Sequence, residues 1–120
     1  MTKFVEMDDH VKFLSQLEED VGPIVEIIKF SMNPEDGDEF LKAWEADATY
    51  FKSQPGFISG QLHKGIGDSG TFIIYAVWES AAQLKAVNTG LQARLSKYPA
   101  STVVSPHIFN KVAVPGICVE

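Results

Sequence analysis

Two side chains in this sequence combine a suitable type with a suitable setting for acting on a small molecule. Trp78 closes the apolar run Thr71 to Trp78, and His63 lies near the end of the run Phe57 to Lys64. An indole offers a broad apolar face with one N–H donor, so Trp78 is either a packing residue whose donor needs a partner or the wall of a ligand site. Histidine changes charge close to neutral pH, which makes His63 the candidate base, set against the ordinary reading of a half-exposed surface residue. Tyr75, His107 and Phe72 are the candidate substrate-lining residues. For Tyr75 and His107 the competing reading is a core position with a satisfied hydrogen bond. His10, His63 and His107 fall on three separate segments without His-x-x-x-His spacing, so no metal site is expected. The sequence carries neither a Gly-x-Ser-x-Gly elbow nor a Cys–His nucleophile signature. Its single cysteine, Cys118, excludes an internal disulfide.

The elements that must position these residues follow from periodicity and breakers. Val11, Leu14 and Leu17 recur at three-residue steps, which predicts a short amphipathic helix over Asp8 to Asp20, capped by Asp8 or Asp9. Ile24 to Met32 is β-branched and aromatic, hence a strand. Asn33-Pro34-Glu35-Asp36 places a cap, a proline and acids at a helix start. Phe40, Ala43, Trp44, Ala48 and Phe51 are that helix's buried stripe, and Pro55-Gly56 ends it and turns the chain into the strand Phe57 to Lys64. The glycine-rich stretch Gly65 to Gly70 joins two strands, as a hairpin does, where a phosphate loop would feed a helix.

Ser80-Ala81-Ala82-Gln83 has the form of a capping box opening a second helix, which Asn88-Thr89-Gly90 breaks midway and Pro99 ends. Thr102 to Val114 supplies the last strand, and Pro115-Gly116 releases a short tail. The order β-α-β-β-α-β predicts a ferredoxin-like α+β fold: a four-stranded antiparallel sheet with two helices on one face. Residues 1–22 form an extra N-terminal helical arm in front of a domain spanning 23–120.

With 120 residues, 45% hydrophobic and 22% charged, the chain has the composition of one globular domain. No apolar run approaches the ~20 residues of a membrane span, and the N-terminus has neither a secretory core nor an Arg-rich transit character, so a cytoplasmic protein is expected. The net charge of −6 repels phosphate backbones and anionic headgroups; neither nucleic acid nor membrane is an expected partner.

Alternating strand residues are apolar on both sides. Ile24, Ile28 and Phe30 oppose Val25, Ile27 and Lys29, while Phe57, Phe72, Ile74 and Trp78 oppose Ile58, Leu62, Ile73 and Val77. Helices cover one face only, so the other is expected to meet a second copy in a homodimer, the helical arm being the alternative cover for part of it. Pairing across the hairpin is expected to set Lys64 opposite Thr71 and His63 opposite Phe72. His63 then shares a face with Trp78, roughly 20 Å away along the strand.

The succession Pro55-Gly56-Phe57, paired strands and Trp78-Glu79-Ser80 resembles the antibiotic-biosynthesis-monooxygenase superfamily over about Ile24 to Phe109. The resemblance implies a dimeric α/β barrel. Tyr75-Ala76-Val77-Trp78-Glu79-Ser80 is similar to the small enzymes of that family that oxidise phenolic aromatic polyketides to quinones without a cofactor. It implies that a pocket base takes the phenolic proton and the phenolate reacts with dioxygen, with Trp78 and His63 at the catalytic positions. Where those enzymes carry an asparagine this chain has Ile74, and their pocket tyrosine is Leu84 here. Arg94 stands about two positions away from their pocket arginine. The haem-degrading branch is a poor match, because its first-strand asparagine, second tryptophan and axial histidine correspond to Lys29, Val87 and Ser96 or Lys97. No haem is expected. A non-catalytic barrel binding a small apolar ligand is the alternative reading.

Overall fold

The computed structural model describes residues 2–118, the side chains of residues 91 and 92 excepted. Its elements are β1 (Lys3–Phe4), α1 (Phe13–Gln16), β2 (Ile24–Ser31), α2 (Gly37–Lys52), β3 (Phe57–Lys64), β4 (Thr71–Trp78), α3 (Ala81–Val87), α4 (Leu91–Leu95) and β5 (Val103–Phe109). From β2 onward this is the ferredoxin-like order. The sheet, however, has five strands in the order β1-β5-β2-β4-β3. The added strand comes from the arm: Lys3 and Phe4 run parallel to Val103 and Val104 at what would otherwise be an open edge.

The arm is therefore less helical than its spacing implied. Asp8 caps no helix. Its Oδ1 accepts the N–H groups of His10 and Val11, a local turn that competes with helix at that point. The helix is confined to Phe13–Gln16, and its buried side chains are Phe13 and Leu17, four residues apart; Val11 and Leu14 are exposed.

The second helical region breaks where Asn88-Thr89-Gly90 predicted, with Gly90 at positive φ between α3 and α4. Ser80 caps α3 by accepting the Gln83 N–H. The reciprocal half of the capping box is absent, because the Gln83 side chain accepts from the Ser80 hydroxyl and donates to Glu79. β5 ends at Phe109, short of the expected Val114, and the tail closes on itself through Val114 and Cys118.

Even-numbered residues of β2 and β4 face the helices. Ile24, Phe30, Phe72, Ile74, Ala76 and Trp78 are buried there with Phe40, Leu84 and Tyr98. Odd-numbered residues face outward, where Ile73 (38% exposed), Tyr75 (39%) and Phe109 (37%) leave an apolar surface without cover.

The β3–β4 register departs from expectation by one residue over most of its length. Phe57 pairs with Trp78, but a bulge at Ile58 brings Ser59 opposite Val77, and from there His63 pairs with Ile73 and Lys64 with Phe72. At the loop end the last bond runs from the Gly65 N–H to the Thr71 carbonyl. One inserted residue exchanges the faces of every side chain beyond it, so His63 points away from the helices and from Trp78.

Candidate active site

Between the helices and the sheet lies a cavity of about 470 Å³. It explains why the stripe of α2 is only partly buried: Trp44, Ala48 and Phe51 face the cavity, whereas Phe40, beyond its end, is fully buried. The sheet side of the cavity is Ile28, Ile74, Ala76 and Trp78, with Phe57 and the bulged Ile58 beside them. Most of the wall is apolar, and the polar side chains that break it are Glu26, Asp47, Lys52, Ser59, Asn88, Arg94 and Tyr98.

Glu26 is the anomaly of β2. The face Ile24, Glu26, Ile28, Phe30 is covered by helices, and Glu26 is 8% exposed. It persists there because Trp78 Nε1 donates to Glu26 Oε1 at 3.2 Å. Among the described residues, the other carboxylate oxygen has no hydrogen-bond partner. Burial raises the Glu26 pKa from its ordinary value to about 7; the indole hydrogen bond and the positive charge of Arg94 oppose that rise. A carboxyl poised near neutrality in an apolar cavity is equipped to exchange a proton there.

Arg94 comes from α4 and lies with its guanidinium over the Phe51 ring, 4.7 Å from the centroid. Its Nη2 donates to Asn88 Oδ1 at 3.3 Å, and its buried Nη1 has no protein partner among the described residues. An unmatched buried donor of that kind carries an energetic cost that an oxyanion in the cavity would relieve. Tyr98 donates to Asp47 Oδ2 at 2.7 Å; burial first, and then this carboxylate, push its phenol well above the usual tyrosine range, so it stays protonated.

Of the five residues singled out from sequence, Trp78 alone lines this cavity. Phe72 shares its face of the sheet but packs on Phe40 in the core, with ring centroids 4.7 Å apart. His63 and Tyr75 are exposed on the opposite face. His107 also belongs to that face and is buried, with its Nε2 3.1 Å from the Gln16 amide nitrogen. Gln16 cannot turn its amide over, because its Oε1 accepts the Ile108 N–H and its Nε2 donates to the Ile108 carbonyl. His107 Nε2 is thereby assigned as the acceptor, which leaves its buried Nδ1 without a partner. Among the described residues no group of three His, Cys, Asp or Glu side chains is arranged to hold a metal ion.

The sequence reading missed Glu26. The signal was there, an acid at an even position of a strand whose even face is otherwise Ile24, Ile28 and Phe30, but it weakens when both faces are apolar. Arg94 stands about two positions out of register in the sequence, but the break at Asn88-Thr89-Gly90 starts a new helix, and its side chain reaches the cavity.

A family model described as antibiotic biosynthesis monooxygenase matches residues 23–91. Among solved structures, a protein from Shewanella loihica PV-4 shares 21% identity over 80% of this chain and 99% of its own, with a TM-score of 0.67. SnoaB, a cofactor-independent oxygenase from Streptomyces nogalater, shares 18% over 80% and 99%, with a TM-score of 0.64. A Pseudomonas aeruginosa protein shares 20% over 78% and 97%, also at 0.64. At these identities the likeness is one of fold. No curated protein matches the chain.

Proposed function

We propose, for a chain that belongs to the antibiotic biosynthesis monooxygenase family, a cofactor-independent monooxygenation of a small planar phenol in which Glu26 is the base. One observation carries this reading. Glu26 is a buried carboxyl raised to about 7, it lines a cavity whose wall is mostly apolar, and a free oxygen remains on it after Trp78 has bound the other. Its ionised form takes the phenolic proton, and the aromatic walls exclude water from the phenolate. The carbon para to the phenolate oxygen bonds to dioxygen, and the resulting peroxide recovers the proton from Glu26. Loss of the ring C–H proton and cleavage of the O–O bond then give a quinone carbonyl and one water. In sum, a phenol and O₂ become a quinone and H₂O, and the substrate supplies the electrons.

Arg94, with Nη1 unpartnered, answers the negative charge that appears first on the phenolate and then on the peroxide. Trp78 orients Glu26 through its indole N–H and contributes a flat wall. The protein is proposed to work as a homodimer joined through the outward sheet face, where Ile73, Tyr75 and Phe109 are left uncovered.

Oxygen uptake by the chelator-treated protein with a panel of naphthols and anthrones, with no flavin, nicotinamide or iron added, tests the activity. With ¹⁸O₂, one labelled atom should enter the quinone and the other the water. Tight binding of a phenol with uptake no faster than the protein-free autoxidation would make the chain a binding module instead.

A further inference from the structure

The edge of β5 that the arm covers is held by two kinds of bond. At its start they run backbone to backbone, from the Lys3 N–H to the Thr102 carbonyl and from the Val5 N–H to the Val104 carbonyl, each at 2.9 Å. At its end a side chain takes over. Gln16 Oε1 accepts the Ile108 N–H and Gln16 Nε2 donates to the Ile108 carbonyl, each at 2.9 Å, so both backbone groups of Ile108 depend on the arm. The second hydrogen of Gln16 Nε2 goes to His107 Nε2, 3.1 Å away, and that bond exists only while the ring nitrogen keeps its lone pair.

Histidine is the side chain that gains charge between about pH 8 and 5. Once His107 takes a proton, its Nε2 is a donor facing another donor at 3.1 Å. Gln16 cannot answer by turning over, because its amide nitrogen would then meet the Ile108 N–H. An acceptor stands nearby: Asp8 Oδ2 is 3.9 Å from the same ring nitrogen, and the bonds of Asp8 to the His10 and Val11 N–H groups use its other oxygen.

We infer that His107 is a proton-operated catch for the arm. Neutral, it holds Gln16 and so fastens α1 to β5; protonated, it turns to Asp8, and Gln16 lets go of Ile108. The clamp is therefore made at higher pH and lost as the pH falls. The other charged and titratable groups around the ring leave this exchange intact. α1 carries none, and His10 stands on the far oxygen of Asp8, its Nδ1 3.7 Å away and its side chain open to solvent. Lys3 of β1 lies beside Val103, and Lys29 of β2 beside Ser105, both toward the other end of β5. Tyr75 of β4 is separated from His107 by Ile27, the partner of both, and Glu26, which pairs with Ile108, lines the cavity on the opposite face. Phe13 opens α1 and lines that cavity, so the catch links acidity to the fastening of the helix that supplies part of its wall, whatever ligand the cavity takes.

Hydrogen–deuterium exchange of the Ile108 amide in the intact protein, read by NMR and corrected for the intrinsic rate at each pH, reports the clamp. The Val5 amide, bonded to the Val104 carbonyl with no side chain involved, is the reference. Between pH 8 and pH 5.5 the protection of Ile108 should fall about tenfold relative to Val5, the scale of one hydrogen bond lost to repulsion. Gln16→Glu should reverse the sign, because its carboxylate still accepts the Ile108 N–H and also accepts from protonated His107. Glu26 titrates in the same range and pairs with Ile108, so Glu26→Gln is the control, and the acid loss should persist in it. Ile108 protection that follows Val5, that falls in Gln16→Glu as in the unaltered protein, or that becomes independent of pH in Glu26→Gln would overturn the inference.

Discussion

The two faces of the sheet are built from the same strands and from similar residues, yet they come to opposite ends. On the helix-covered face an acid, Glu26, is buried with an indole as its donor, and the aromatic side chains stand back far enough to leave a cavity. On the outward face the two histidines lie in unlike places, His63 open to solvent and His107 held by the arm, while Ile73, Tyr75 and Phe109 remain uncovered. The difference teaches where chemistry is to be sought in such a fold. A side chain suited to catalysis by type contributes little on a face that water reaches, whereas an ordinary carboxyl becomes a base near neutrality once burial has made its charge costly.

The largest effect belongs to the outward face. Ile73→Lys places one ammonium from each copy in the proposed dimer contact, at a burial cost of several kcal/mol per ion. Light scattering should then give one 13.2 kDa chain in place of two. An intact variant dimer, or an unaltered protein that is already a monomer at tens of micromolar, would show that this face does not join two copies.

On the other face, Glu26→Gln keeps an acceptor for Trp78 and removes the base. The rate of quinone formation should fall by about 10²–10⁴-fold, and the residual rate should lose its dependence on pH. In the unaltered protein kcat/KM should rise with pH to a plateau above about 7, as Glu26 ionises.

The same carboxyl affects stability. Its folded pKa, about 7, lies above the ordinary 4.5, so between these values the folded state binds the proton and the unfolded state does not. Stability contributed by this group is present below pH 4.5 and is lost as pH rises through about 7. The loss, on the order of 3 kcal/mol, should separate the denaturant unfolding curves of the unaltered protein and Glu26→Gln at pH 8 far more than at pH 5.

Trp78→Phe retains an aromatic wall without the donor. Because the indole hydrogen bond lowers the Glu26 pKa, its loss should move the pH midpoint of activity upward and cost roughly 1.5–3 kcal/mol of stability where the carboxyl is ionised. An unmoved midpoint would mean that the bond is not made in solution.

The smallest effect is expected from His63→Gln, on the exposed side of β3, which should change stability by no more than about 0.5 kcal/mol and leave turnover as it was. A large loss of turnover there would reverse the comparison, placing the site on the outward face, where a partner copy would have to complete it.

Local chemistry in the chain itself determined most of the element order. Proline and glycine at Pro55-Gly56, the serine at Ser80, the break at Asn88-Thr89-Gly90 and the alternation in the strands act through neighbouring residues, and a linear reading captures such effects. That Trp78 belongs to the helix-covered face was legible for the same reason, since it ends a strand whose even positions are apolar, while the choice between packing and lining a cavity was not. Three features were decided only by the folded chain. The bulge at Ile58 turned His63 outward, because the face of a strand residue depends on every pairing between it and the turn. The arm became a fifth strand because β5 offered unpaired backbone groups that no periodicity in residues 1–22 announces. Glu26 acquired its pKa from surroundings contributed by β4 and α4, distant in sequence and adjacent in space. Residue types propose a chemistry, but desolvation and approach are properties of the tertiary structure, and those are what set the charge on an acid.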